Sequence, residues 1–173
     1  MAIPNPLDVL KIPSDLLIAL DNRDFHFALQ PYHYLIRLVH ILTMSAFFGG
    51  IALLDLRLIG IRRLMPLKPL AEHTVPWLYA SFALAMATGA LLFFYDPVHV
   101  GAHRYFTPKL IFIVLGALNA VVFHRTTYDL ALSANGRLPY SARTAGLISL
   151  ILWTAVIVSA CLNNEAEPKL LLR

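Results

Sequence analysis

Apolar residues fill long uninterrupted stretches of this chain, and polar residues collect between them. Two stretches, 74–95 and 144–164, contain no Asp, Glu, Lys or Arg. A helix needs about 20 predominantly apolar residues to cross the hydrocarbon of a bilayer. Two more stretches of this kind can be recognised, so the pattern predicts four transmembrane helices. They cover residues 34–61, 74–95, 108–123 and 144–162.

Backbone amides in lipid must be hydrogen-bonded within their own segment, which predicts an all-α polytopic four-helix bundle. We expect an N-terminal arm (1–33), the transmembrane domain (34–164) and a C-terminal tail (165–173). In the arm, Ser14 is predicted to cap a short helix that lies on the membrane surface. An extended arm docked on a partner is the alternative. Pro76 and Pro108 are expected in the first turns of their helices, with Thr107 as an N-cap.

The composition supports an integral membrane protein. Hydrophobic residues make up 58% of the chain and charged residues 14%, against roughly 25% charged in soluble domains. A soluble enzyme, a disordered chain, a disulfide scaffold and a nucleic-acid-binding protein are thereby excluded. The positive-inside rule places two short basic connections in the cytoplasm and hence both termini on the periplasmic side. These connections hold Arg57, Arg62, Arg63, Lys68, Arg125, Arg137 and Arg143.

One face of the first predicted span is polar, which is costly inside a membrane and therefore informative. On a helix with 3.6 residues per turn, seven side chains fall within a sector of roughly 80°. They are His33, Arg37, His40, Met44, Phe47, Ile51 and Asp55. We expect this stripe to face the bundle interior or a partner, because acyl chains would leave its polar groups without hydrogen bonds.

His40, about two turns inside this span, is the candidate ligand. A hydrogen bond to a neighbouring helix is one interpretation, and axial ligation of haem iron is the sharper one, because it suits a neutral imidazole on a rigid helix. In the second case Arg37, one turn away, would pair with a haem propionate. Met44, Phe47 and Phe93 would form the apolar lining of the haem site.

The other histidines fall into two groups, one at each end of the predicted bundle. With the termini outside, His99 and His103 lie on the same side as His40, whereas His73 and His124 lie on the other. The outer haem would use His40 with His103 or His99. A second haem would use His73 and His124, because their spans are consecutive and antiparallel. For this second pair, solvated loop histidines are the alternative.

Asp55 lies near the other end of the first span. We expect it to pair with Arg57, Arg62 or a nearby histidine, and a proton-relay or quinone-site role is the less favoured alternative. His26 and His33 are expected at the surface or against haem propionates.

Three segments resemble a group of uncharacterised bacterial four-helix membrane proteins: HILTMSAFFGGIALLDLRLIG (40–60), ATGALLFF (87–94) and TPKLIFIVLGALNAVVFH (107–124). More distantly, residues 35–162 are similar to the copper-resistance D-like membrane domains. The matched positions are His40, Asp55, Arg57, Lys109 and His124. The resemblance implies a multi-pass protein of the bacterial inner (plasma) membrane, and its copper branch implies copper movement or insertion.

Three functions remain open. The first is a small b-type cytochrome-like subunit with one or two haem b groups. It would carry electrons between the quinone pool and an outer-face partner, within an oxidoreductase and with no catalytic residue of its own. The second is a copper-handling or transport protein that uses His40, Met44 and an outer histidine, although the soft ligands preferred by Cu(I) are scarce. The third is a cofactor-free accessory subunit of a membrane complex.

The expected partners follow from these functions. They are the lipid bilayer, quinone, other membrane or periplasmic redox proteins, or a second copy of the chain; no nucleic acid is expected. The sequence has no Cys-x-x-Cys-His motif, so covalently attached haem is not supported.

Overall fold

The chain is helical almost throughout in the computed structural model, which describes residues 10–61, 66–134 and 138–164. In chain order the helices are α1 (Ser14–Leu20), α2 (Arg23–Leu29), α3 (His33–Ile59), α4 (Leu67–Tyr95), α5 (Pro97–Ala102), α6 (Phe106–Thr126), α7 (Tyr128–Ser133) and α8 (Tyr140–Asn164). Helices α3, α4, α6 and α8 are long and apolar enough to cross a membrane. No strand occurs in these ranges. The prediction of an all-α protein with four helices long and apolar enough to cross a membrane is confirmed for the described residues.

The four long helices alternate in direction because short connections join them. The α5 end of the bundle therefore holds the start of α3, the end of α4, the start of α6 and the end of α8. The α7 end holds the opposite termini of the same helices. Three arginines of the predicted basic connections, Arg62, Arg63 and Arg137, lie outside the described residues.

Helix neighbours do not follow the order of the chain. Helix α3 packs against α4 on one side and α8 on the other, and α6 packs against α8. Helices α4 and α6 approach each other much less closely. At the α5 end, Phe93 and Phe106 close the seam between them, with stacked rings 5.2 Å apart between centroids. Towards the α7 end the seam opens into a cavity.

The ends of two helices differ from the prediction. Helix α4 starts at Leu67, so Pro76 lies inside the helix and not in its first turn. A side-chain pair one turn apart, Lys68 and Glu72 at 3.9 Å, belongs to the added turns, and such pairs favour helix. Helix α6 starts at Phe106 and has no side-chain cap. The prediction of Thr107 as N-cap is therefore wrong, and its hydroxyl, within the described chain, has no hydrogen-bond partner.

Gly60 ends α3. Its φ of 106° lies in the left-handed region, which costs glycine little because it has no Cβ. The amide of Ile61 then bonds to the carbonyl of Leu56 at 3.0 Å, a pattern that satisfies the last carbonyls of a helix.

The described part of the N-terminal arm, residues 10–33, is largely helical and rests on the α5 end. Helix α1 packs on α5, where Leu17 is 2% exposed and sits directly against Gly101. Helix α2 packs on α4 through an edge-on contact of Phe25 with Phe94. Ser14 is the first residue of α1 and makes no capping hydrogen bond, because the cap position belongs to Pro13.

Candidate functional site

The polar stripe of α3 faces neighbouring helices along most of its length. Phe47 is buried, and its ring meets those of Phe82 and Trp153 with centroids 5.3 and 4.6 Å apart. Met44, half-buried, packs against the same cluster. Arg37 is exposed. The stripe thus joins the bundle interior from His40 onward.

His40 is half-buried and hydrogen-bonded to α4. Its Nδ1 lies 3.0 Å from the hydroxyl of Thr88. That hydroxyl also lies 2.7 Å from the carbonyl of Leu84, to which it donates. Because its single proton is used there, the hydroxyl accepts from Nδ1–H, and the neutral imidazole keeps its lone pair on Nε2. This is the state in which a histidine can bind a metal through Nε2.

The ring of His40 also occupies the space that Gly89 leaves on α4. A Cβ at Gly89 would be 3.0 Å from Cε1 of the imidazole. A larger residue here would push the ring away from Thr88, so Gly89 and Thr88 together fix the position of the histidine.

Two more histidines, His99 and His103, lie near the same end. Their rings meet edge to face with centroids 5.0 Å apart. Partial burial lowers the pKa of His103 below its ordinary value, and electrostatic repulsion from His99 and Lys109 lowers it further. The lowered pKa favours the neutral imidazole, which can bind a metal. Lys109 acts electrostatically on His40 as well. The structure thus gathers His40, His103 and Lys109 at the α5 end.

His73 and His124, the second predicted pair, are both exposed. The ring of His124 packs on Tyr128, 4.4 Å away between centroids. His124 lines the cavity between α4 and α6, whereas His73 does not. The two lie on opposite sides of the open seam, because α6 packs on α8 far more extensively than on α4.

Of the remaining histidines, His26 and His33 both stack on one aromatic ring. Their centroids lie 4.3 and 4.4 Å from that of Tyr95. Nδ1 of His26 is also 2.7 Å from the Tyr95 carbonyl. They fasten α2 and the start of α3 to the end of α4. Within the described ranges, no group of three or more His, Cys, Asp or Glu side chains is placed to hold a metal ion.

Among the described residues, a cavity of about 470 Å³ lies at the α7 end. Its walls come from α3, α4, α6, α7 and α8, and most of the lining is apolar. Tyr79 of α4 and Val121 of α6 line it and are also exposed, at 61% and 49%. The mouth therefore lies in the seam between these two helices. A largely apolar cavity with a few polar groups is the usual form of a small-molecule site.

Asp55 and Ser149 are buried polar residues that line this cavity, and Asp55 has 3% of its surface exposed. It forms a side-chain hydrogen bond with Ser149 of α8. The other carboxyl oxygen, Oδ2, has no hydrogen-bond partner among the described residues. Within the described residues, Asp55 forms no ion pair with a basic side chain, contrary to expectation. Arg62, one of the expected partners, lies outside the described residues. An unsatisfied carboxyl oxygen in an apolar site costs about 1–3 kcal/mol.

Other polar groups line the cavity away from Asp55. Asn119 donates from Nδ2 to the carbonyl of Ala145 at 3.1 Å, so it ties α6 to α8. Arg125 and His124 are exposed towards the α7 end. Burial raises the pKa of Tyr128, and the electrostatic effects of Tyr79, Glu72 and Asp129 raise it further. The hydroxyl of Tyr128, at the rim of the cavity, therefore stays protonated.

Two features of this site were not predicted. Ser149 and Trp153 lie one turn apart on α8 and face α3. Their spacing in a charge-free span was the available signal, but it does not identify the helix that they meet. The cavity itself depends on which helices are neighbours.

Comparison of the chain with protein-family models, with curated proteins and with solved structures finds no match. The resemblance to copper-resistance D-like membrane domains stays a prediction from the three quoted segments.

Proposed function

We propose that the protein is a membrane-embedded binding protein for a small lipid-soluble molecule, held in the cavity at the α7 end. The observation that carries this proposal is the position of Asp55. It is buried in an apolar wall, and its Oδ2 lacks a partner among the described residues. A ligand with a polar head would supply that partner, and its apolar part would fill the rest of the cavity.

The position of the mouth supports the same proposal. Lateral access from the bilayer suits a ligand that partitions into lipid, since it would reach the site without crossing water. The seam is also lined by small side chains, Ala117 and Ala120 of α6. The cavity would therefore open with little rearrangement of backbone.

Tryptophan emission offers a direct test. The chain has two tryptophans: Trp153 lines the cavity, and Trp77 is 70% exposed on α4. In lipid nanodiscs, a brominated naphthol, which has a hydroxyl as its polar head, should quench Trp153 in a Trp77→Phe variant with a saturable curve. Trp77, read in a Trp153→Phe variant, should show only the linear quenching of a probe dissolved in lipid.

A matched pair of substitutions locates the bound probe. Ala117→Phe fills the cavity from a half-buried position of α6, whereas Ala83→Phe makes the same change on an exposed position of α4 outside the lining. Saturable quenching should be lost in the first variant and kept in the second. Linear quenching of Trp153 in the unaltered cavity, or equal curves in both variants, would overturn the proposal.

A second candidate function is electron transfer through haem b, as the sequence indicates. The hydrogen bond between Nδ1 of His40 and Thr88 favours it, because such a bond orients the imidazole with Nε2 as the nitrogen that would ligate iron. His103, with its lowered pKa, would provide the second imidazole. The bound haem would supply one-electron chemistry. In this scheme the α5 end and both termini face the periplasm of a bacterial inner membrane, which the positive-inside pattern supports.

Spectroscopy tests this second candidate. A reduced-minus-oxidised spectrum of the purified protein should show a sharp alpha band, and His40→Ala should abolish it. Thr88→Val should weaken haem binding by about 10- to 100-fold, as loss of a ligand's hydrogen-bond partner typically does. Thr43→Val is the control, because the Thr43 hydroxyl bonds only to carbonyls of its own helix. If the band is absent and metal analysis finds stoichiometric copper, the copper alternative is favoured. If neither haem nor copper is found, the cofactor-free subunit is favoured.

A further inference from the structure

We infer that the ligand of the α7-end cavity is of the quinone–hydroquinone class, a neutral ring that carries oxygen functions and an apolar tail. This inference rests on the proposed function and adds the chemical class of the ligand. It is carried by the charges, the hydrogen-bonding needs and the shape of the cavity.

The charges on the cavity wall favour a neutral head. A charged group is costly in an apolar site unless it is paired. Asp55 would oppose an anionic head such as the carboxylate of a fatty acid. A lipophilic cation is the strongest competitor, because Asp55 could pair with it. Arg125 also lines the cavity, but it is exposed and lies away from Asp55, so the displacement test includes such a cation to separate the two ligand classes.

The carboxyl group of Asp55 selects a head with oxygen functions. A carboxylate accepts hydrogen bonds only, and a protonated carboxyl also donates one. A hydroquinone hydroxyl can donate a hydrogen bond to the carboxylate, and a quinone carbonyl can accept one from the protonated carboxyl. The class thus satisfies Oδ2 in either protonation state, whereas a hydrocarbon satisfies it in neither.

The walls beyond Asp55 suit a flat ring. Phe47, Phe82 and Trp153 form a cluster with centroids 4.6 to 5.8 Å apart, and two of the three pairs are edge to face. All three rings line the cavity. Aromatic rings favour offset or edge-on contact with another ring. An apolar tail would leave through the mouth beside Tyr79 and Val121 and lie in the bilayer.

Displacement of the brominated probe tests the class. In the Trp77→Phe protein, recovery of Trp153 emission would be measured with three competitors: a hydroquinone with a short alkyl tail, the same alkylbenzene without oxygens, and a lipophilic phosphonium cation. The hydroquinone should bind about tenfold more tightly than the alkylbenzene, which is the effect of about one net hydrogen bond. The cation should bind no better than the alkylbenzene.

Substitution of Asp55 provides the second half of the test. Asp55→Leu should remove the tenfold preference for the hydroquinone over the alkylbenzene, because a leucine side chain forms no hydrogen bond with the ligand head. Asp55→Asn, which keeps a hydrogen-bonding group, should retain part of the preference and remains informative if the leucine variant does not fold.

The possible outcomes separate this inference from the proposed function. Equal affinity for hydroquinone and alkylbenzene, or tighter binding of the cation, would overturn the ligand class while the binding function stands. Failure of the brominated probe itself to bind would overturn the proposed function and the ligand class together.

Discussion

The contact between α3 and α8 holds Asp55 in the cavity wall, and it depends on Gly146. A Cβ built at Gly146 would lie 2.9 Å from the Cβ of Leu58 and 3.2 Å from the carbonyl oxygen of Asp55. Neither atom can rotate away, because one belongs to the backbone and the other is bonded directly to it. Gly146→Ala should therefore push α3 and α8 apart.

The size of the effect follows from two opposing contributions to the free energy of unfolding. Overpacking of a well-packed contact destabilises by about 1–3 kcal/mol. Replacing a mid-helix glycine by alanine stabilises by roughly 0.5–1 kcal/mol. Overpacking outweighs the gain in helix propensity, so we expect a net destabilisation of about 0.5–2 kcal/mol. Gly49→Ala is the matched control, because a Cβ there meets nothing within 4 Å and only the gain in helix propensity remains.

Reversible unfolding in mixed micelles, with a rising fraction of a denaturing detergent, measures both variants. Helix content would be followed by far-ultraviolet circular dichroism. Gly146→Ala should shift the midpoint to less denaturant, and Gly49→Ala should leave it unchanged or raise it. If both variants unfold at the same point, α3 and α8 are not packed as closely as we describe.

Three further predictions concern other contacts. Asn119→Leu removes an interhelical hydrogen bond. It should lower the free energy of unfolding by less than about 1 kcal/mol, since such bonds in membranes average roughly 0.6 kcal/mol. A loss beyond about 2 kcal/mol, above the range of such bonds, would mean that the side chain does more than join two helices. Gly101→Ala places a Cβ on Leu17, so it should release α1 and raise its hydrogen exchange while exchange in α6 stays unchanged. By NMR, His103 should titrate below the ordinary histidine pKa, and His99→Asn should move it upward. Because the folded-state value is lowered, His103 should reduce stability as the pH falls through the unfolded-state value near 6.5.

The membrane-crossing helices could be predicted because composition alone determines them. The charge-free stretches 74–95 and 144–164 lie within α4 and α8. The helix ends could not be predicted equally well. The first turns of α4 are polar, so hydropathy gives no signal for them. Proline at position 76 has the ordinary preference for a first turn, yet the helix runs through it.

The stripe on α3 could also be predicted, because it needs only the helical period. The partners of its residues depend on the order of helices around the bundle. Pairing His73 with His124 assumes that consecutive antiparallel helices are close neighbours at the α7 end, but α6 packs more extensively on α8 than on α4, so this pair stays a prediction. The same arrangement gives Asp55 its contact with Ser149 and leaves the seam that forms the cavity.

The two candidate sites share one face of α3 but are far apart. His40 and Asp55 are separated by about 22 Å along the helix, at about 1.5 Å per residue. The aromatic cluster of Phe47, Phe82 and Trp153 fills the space between them. A ligand bound at Asp55 would touch this cluster and not His40. Any coupling between the two sites would therefore pass through those three rings or through a rotation of α3, and Gly50, which lies against Leu78 of α4, limits such a rotation.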